Sequence, residues 1–361
     1  MARKDTQLVE CLRSRNLTAV KAFLRADPEA ARSAQVVGEA ARLGWKNALE
    51  LLIKYGADLN AGFRNYRPLH SVIQEKPHGE RSSAVEERAA LLKWMLAHGA
   101  DPEQLGGWPA TRAIIAAAFV GEPAYIDALL EAGAVRDGFV SAALGDIRRV
   151  QRSLEKDPDF ARARDPGGLT ALHCAAGSRL GAKSKKVRDA LLAIAALLLD
   201  HGAEVAARVR SWSHDVDAVY FAVSSGQREL FALLLERGAD ACQALTPVIW
   251  KGEFDLAELA LARGAELDLA IDEGKPLLNQ MIRWGQFKQA MWMLERGASP
   301  DIADERGWTA VHQAASRGNE KMLKAVLEAG GDTSRKDDEG DTPLIIAIVR
   351  GRSKIIALLD D

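Results

Sequence analysis

The chain has 361 residues and only three cysteines, Cys11, Cys174 and Cys242, far apart in sequence. An odd, scattered set gives neither a disulfide framework nor a paired CxxC metal site. Excess charge is also lacking: 48 Lys and Arg against 50 Asp and Glu leave a formal net charge of −2. That balance argues against a dedicated nucleic-acid binder, for which a basic domain is expected, and leaves local basic patches open. The longest apolar run, Ala190 to Leu199, is well short of the roughly 20 residues a membrane span needs. The opening Met-Ala-Arg-Lys-Asp-Thr leads into an amphipathic stretch without an apolar h-region, so no signal peptide is expected. The expectation is a cytoplasmic protein of a reducing compartment with no membrane span, metal or cofactor. Catalytic fingerprints are missing too: no G-x-x-x-x-G-K-[ST], no G-x-S-x-G and no Rossmann turn. That removes the motif argument for an enzyme without excluding one.

What the chain does have is a repeat. A four-residue phrase appears as Arg67-Pro68-Leu69-His70, Thr170-Ala171-Leu172-His173, Thr309-Ala310-Val311-His312 and Thr342-Pro343-Leu344-Ile345. A Leu-rich run ending in Gly-Ala closes at Gly56, Gly99, Gly133, Gly202, Gly238, Gly264 and Gly297, and Gly264, Gly297 and Gly330 are each 33 residues apart. Phrase and period resemble the ankyrin repeat. The resemblance implies an all-α, ankyrin-repeat solenoid of stacked antiparallel helix pairs, each unit contacting its neighbours and ending in a projecting finger loop. It extends over residues 1–361 as a single array.

The frame predicts eleven units, beginning near residues 4, 34, 63, 105, 137, 166, 208, 242, 270, 303 and 336. In the tenth, Gly318 reverses the chain between two helices, and Met322, Leu323, Val326 and Leu327 follow at helical spacing as a buried face. The first and eleventh units are charged at their outer ends and read as caps. Departures from the frame are informative. His70 to Gly99 and His173 to Gly202 each span 29 residues, against 18 from His312 to Gly330. The third and sixth units thus carry helix-to-helix insertions, at 75–88 and 178–189, expected on one face. The second holds Arg179, Lys183, Lys185, Lys186 and Arg188 and reads as a solvated basic loop that could draw in an acidic partner. Unit eight is short enough to have lost its finger. Units one and five replace Gly-Ala by Asp27-Pro28 and Asp157-Pro158, a proline-stopped helix end.

Aligned on the glycines that end the first helices, Lys251, Trp284, Arg317 and Arg350 recur every 33 residues, with Trp250 and Arg283 one position earlier in two of the units. The earlier equivalents are Leu43, Val120, Leu144 and Ser225. The resemblance places this helix end in a concave groove, apolar toward the N-terminus and cationic-aromatic toward the C-terminus. Arg and Trp dominate binding hot spots, so the row suits an acidic peptide or an anionic ligand with a flat group. The plainer reading is a solvated helix end whose arginines pair with the acidic fingers Asp272-Glu273, Asp304-Glu305 and Asp337-Asp338-Glu339. Trp108, Trp212 and Trp308 lie in fingers and would add to the same face.

Most histidines fit the repeat. The resemblance makes His70, His173 and His312 hydrogen-bonding struts between neighbouring turns, and His98 and His201 stand at helix C-termini where imidazole suits the dipole. His78 is isolated in the first insertion. His214, Asp215, Asp217 and Tyr220 share the most deviant finger and could form a weak acid–base or metal set. Asp217 also suits helix capping, and no recognised metal spacing is present.

Two classes of function follow. One is a binding module that presents groove and fingers to a protein or peptide partner, with Trp250, Lys251, Arg283, Trp284, Trp308, Arg317 and Arg350 as the contact set. The other is an enzyme or small-ligand binder with a pocket inside units six to ten. An open groove favours the first, and a cavity converging on His214, Asp215, Asp217, Tyr220, Trp250 and Trp284 the second.

Overall fold

The computed structural model describes residues 2–74, 82–212, 214–268, 270–271 and 275–360. The contacts divide the chain into two compact bodies, Met1–Arg237 and Gly238–Asp361. Both are built from consecutive helix hairpins. In the first body α1 (Ala2–Arg13) pairs with α2 (Leu17–Ala26), α3 (Ala34–Arg42) with α4 (Lys46–Lys54), α5 (Pro68–Gln74) with α6 (Ser82–Ala97), and α7 (Ala113–Val120) with α8 (Pro123–Glu131). There follow α9 (Gly138–Leu144) with α10 (Ile147–Lys156), α11 (Ala171–Gly177) with α12 (Lys185–Asp200), and α13 (Ala218–Ser225) with α14 (Arg228–Glu236). The second body holds α15 (Ala241–Lys251) with α16 (Phe254–Ala262), α17 (Leu277–Arg283) with α18 (Phe287–Leu294), α19 (Ala310–Arg317) with α20 (Glu320–Glu328), and α21 (Pro343–Val349) with α22 (Ser353–Asp360). Each of the eleven sequence frames therefore holds one pair. Among the described residues the strands form two short antiparallel pairs, β1 (Val209–Ser211) with β2 (His214–Val216) and β3 (Ala270–Ile271) with β4 (Lys275–Pro276).

The repeat phrase works through its histidine. At the start of α11 the Thr170 N–H donates to His173 Nδ1 at 3.1 Å, and the His173 N–H donates back to Thr170 Oγ1 at 3.2 Å. With Nδ1 accepting, the proton sits on Nε2, which donates to the Ala207 carbonyl of the next finger at 2.8 Å. His70 reaches Thr111 O at 2.7 Å, and His312 reaches Asp341 O at 3.2 Å, in the same way. In repeat nine Asn279 takes the position, its amide donating to Ile302 O and Trp308 O at 3.0 and 2.8 Å. His98 and His201 bond through Nδ1 to Trp94 O and Leu197 O, one turn back on their own helices.

The turn between helices rests on left-handed glycine. Gly318 has φ 73° and closes α19 by donating to Ala314 O. A side chain there would be strained and would also meet Arg352, since a Cβ would lie 2.7 Å from its Cδ. Gly318→Val is expected to cost about 1 kcal/mol or more. A lowered midpoint in urea unfolding checks this; an unchanged midpoint would contradict the strain argument. Beyond the turn Met322, Leu323 and Val326 are buried, and Leu327 is half-buried.

The insertions take a form the sequence frame did not foresee. Both α6 and α12 run 16 residues, whereas the other second helices have 8 to 10. Much of each insertion thus lengthens a helix by about two turns. Residues 75–81, including His78, lie outside the described residues. The second insertion is a packed element and not a solvated loop. A 3-10 turn at Leu180–Ala182 leads into α12, with Ser178 and Leu180 buried. The Arg179 N–H donates to Ala118 O, and its guanidinium donates to Ser224 O, both at 2.9 Å. Lys183 pairs with Glu122 and Lys185 with Asp189, each at 2.7 Å. Apolar Leu180 and Val187 within the basic run explain the difference, because they give the segment something to bury.

The other departures behave as read. Helices α2 and α10 stop at Asp27 and Asp157 and continue as short 3-10 turns, which bury Ala31 and Phe160. Repeat eight has no finger: Asp240, two residues after Gly238, already caps α15. The three cysteines are free thiols on the first helices α1, α11 and α15.

Candidate functional site

In the second body the row residues occupy one structural position. Lys251 and Arg317 are the last residues of α15 and α19, and Trp284 and Arg350 cap α17 and α21. Each is followed by a glycine of positive φ, which ends the helix and leaves the preceding side chain at its rim. All four are exposed, Trp284 by 64%. Each helix end lies close to side chains of the next repeat. A Cβ on Gly252 would lie 3.6 Å from Gln289 Nε2, and one on Gly285 would lie 3.0 Å from Arg317 Nη2. Arg317 thus reaches back over Gly285 at the end of α17. The guanidinium carbon of Arg283 stands 6.0 Å from the Trp284 ring, within cation–π range. Trp250 is half-buried and Arg283 exposed.

Among the described residues Arg283, Arg317 and Arg350 form no ion pair, so the acidic fingers do not neutralise them there. Asp272 and Glu273 lie outside the described residues. Asp304 instead holds Arg306 at 3.3 Å and Gln313 at 3.2 Å, and Glu305 faces Lys275 at 3.6 Å. Asp337 receives the indole N–H of Trp308 at 2.9 Å. Burial is the largest influence on the Asp337 carboxyl and opposes its ionisation. Hydrogen bonds from the Asp341 N–H, the Trp308 indole and the Glu339 N–H outweigh it and hold the pKa below the usual carboxylate range. Trp308, half-buried between Arg306 and His312, is therefore a strut between fingers more than an open contact.

The equivalent positions of the first body are occupied differently. Leu43, Val120, Leu144 and Ser225 are all half-buried. The basic insertion covers two of these helix ends: a Cβ on Gly121 would lie 2.8 Å from Arg179 Cβ, and one on Gly145 would lie 3.3 Å from Val187. What the sequence presents as an apolar groove segment is closed there by the chain's own residues.

The deviant finger uses its polar groups locally. Asp217 caps α13 by accepting from the Tyr220 N–H at 3.0 Å, and burial raises its pKa. Asp215 faces Arg210 at 3.4 Å, and the His214 and Tyr220 rings meet edge-on at 6.0 Å. No group of three His, Cys, Asp or Glu side chains able to hold a metal occurs among the described residues. Trp212 is 60% exposed at the tip and meets Trp108 edge-on at 5.8 Å.

Two features escaped the sequence reading. Arg112 stands where the repeat phrase has Thr, almost wholly buried, and its Nη2 donates to both carboxylate oxygens of Asp137, at 2.8 and 3.0 Å. The substitution within the phrase was the available signal. Ile348 and Val349 are exposed apolar residues beside Arg350, and Val349 stands one residue before Arg350 as Arg283 does before Trp284.

Comparison with known proteins agrees with this architecture. Residues 278–360 match the family model for ankyrin repeats in three copies, and residues 167–209 match the ankyrin repeat model. Those two segments therefore carry ankyrin repeats. Among solved structures it is similar to the crystal structure of the human ASB11 ankyrin repeat domain, at 20% identity and TM-score 0.49, over 63% of this chain and 99% of that one. No curated protein matches it in sequence. No helix among the described residues is long and apolar enough to cross a membrane. Ankyrin repeats are generally protein-interaction modules.

Proposed function

We propose that the second body is a binding module whose row of first-helix ends, Lys251, Trp284, Arg317 and Arg350 with Trp250 and Arg283, receives an acidic protein segment bearing an aromatic side chain. The observation that carries this reading is the contrast between the bodies. Where the first body covers two of its helix ends, at Gly121 and Gly145, with residues 179–188, the second leaves Trp284, Arg317 and Arg350 exposed at the same positions. An indole 64% exposed, with Arg283 6.0 Å from its ring and Arg317 over the adjoining Gly285, offers a flat contact with guanidinium donors at hand.

The test uses a fluorescent glutamate–tyrosine copolymer titrated against the full chain. Truncating a Trp or Arg anchor typically costs about 2 kcal/mol, so Trp284→Ala should weaken binding roughly thirtyfold. Raising salt from about 0.1 to 0.5 M should weaken it further. Wild-type affinity in both Trp284→Ala and Arg317→Ala would reject the row.

A further inference from the structure

The opposite helices of the same body carry a second surface. Phe254 and Phe287, the first residues of α16 and α18, are 33 residues apart, as are Lys288 and Lys321 at the next position. Between the second helices lies a hollow of about 650 Å³ floored by Phe254, Phe287, Met291, Trp292 and Met322. An adjoining hollow of about 730 Å³ shares Met291, Asn319 and Lys321 and extends along α20 past Lys324. The floor is stiff. Phe254 stacks on Trp292 at 5.2 Å and 13°, with Lys288 5.2 Å from the Phe254 ring and Arg296 4.1 Å from the Trp292 ring.

Charge decides what such a trough accepts. On its rim Lys288, Lys321 and Lys324 form no ion pair among the described residues. Of the carboxylates, Glu320 is held by Lys354 at 3.0 Å and Glu295 faces Arg296 at 3.7 Å. That leaves Glu328, at the far end, against three lysines. We infer that the α16–α18–α20 face docks an acidic amphipathic helix of a partner protein, a bulky apolar side chain entering the hollow over Met291 while flanking carboxylates meet Lys288, Lys321 and Lys324. Apolar anchors at helical spacing give such a contact its affinity, and the lysines give it sign selectivity. This surface is distinct from the first-helix row and does not depend on it.

The probe is a peptide of about 16 residues with Phe and Leu at i and i+4 and glutamates between them, long enough for four turns. It is titrated into the full chain carrying 13C-methyl methionine, with six methionines to follow. Assignment uses Met291→Leu and Met322→Leu. The Met291 and Met322 signals should shift on titration, and a peptide with lysines in place of the glutamates should leave them unmoved. Lys321→Glu with Lys324→Glu, both at exposed positions, should weaken binding at least about tenfold. Trp284→Ala should leave it unchanged, which separates this surface from the row. Unshifted Met291 and Met322 signals at about 1 mM peptide, a millimolar Kd being the weakest binding of interest, would overturn the inference. So would equal binding of the lysine peptide, or loss of binding in Trp284→Ala alone.

Discussion

Replacing Asp137 by Ala should lower the stability of the first body by about 3 kcal/mol or more, because it strands a buried guanidinium. Arg112 is 5% exposed, and its Nη2 donates to both oxygens of Asp137, with Glu103 at 3.5 Å as a second ion-pair partner. Asp137 also caps α9 by accepting from the Val140 N–H at 2.9 Å. Asp137→Ser separates the two roles: the hydroxyl can still cap, and the charge is gone. It should recover only the roughly 1 kcal/mol that a cap supplies. Pairing Asp137→Ser with Arg112→Met should restore most of the remainder, since removing both charges from a buried pair is commonly near neutral. Urea unfolding of the four proteins measures this, and a wild-type midpoint in Asp137→Ala would refute it.

The second large effect is a loss of stability on mild acidification. Burial, as the largest influence, pushes the His70 and His173 pKa values down to about 4, with the bonds to Thr111 O and Ala207 O pulling the other way. Unfolded, each ring titrates near 6.5. Between the two values the unfolded chain binds more protons than the folded one, so stability present above pH 6.5 is lost as pH falls toward 4. From pH 7 to 5 the loss is about 2 kcal/mol per ring. The buried carboxyls Asp165 and Asp217 act in the opposite sense, since burial raises their pKa and the folded state holds their protons more readily. Their effect falls in the carboxylate range and below. His312 is shifted the same way by burial. His173→Asn should therefore remove about 2 kcal/mol of the pH 7-to-5 change without destroying the fold, because Asn279 shows an amide serving as the same strut. Equal urea midpoints at pH 7 and pH 5 in the wild type would contradict the argument.

The repeat frame was legible because its signals are local. A left-handed glycine, a capping threonine and a strut histidine act within three or four residues of themselves, so Gly318, Thr170 and His173 could be given their roles from sequence spacing. The insertions were legible as extra length and misleading as structure. Whether residues 178–189 stay in water depends on Gly121 and Gly145, far back in the chain, which leave room for Arg179 and Val187. Trp308 and Trp284 show the same limit. Both are tryptophans in the second body, and local pattern puts Trp308 in a finger and Trp284 at a helix end. That one donates its indole N–H to Asp337 while the other stays open to solvent depends on a residue 29 positions away.

By itself, then, the sequence determined the number of helix pairs, their turns and the periodic row of Lys251, Trp284, Arg317 and Arg350, because a 33-residue period repeats the same local backbone chemistry. The tertiary structure decided which helix ends are covered and which stay bare, how Arg112 finds Asp137, and that Phe254 and Trp292 stack across α16 and α18. These are contacts between residues 25 to 58 positions apart, and their energies depend on burial and on the partner's position, which no local pattern encodes.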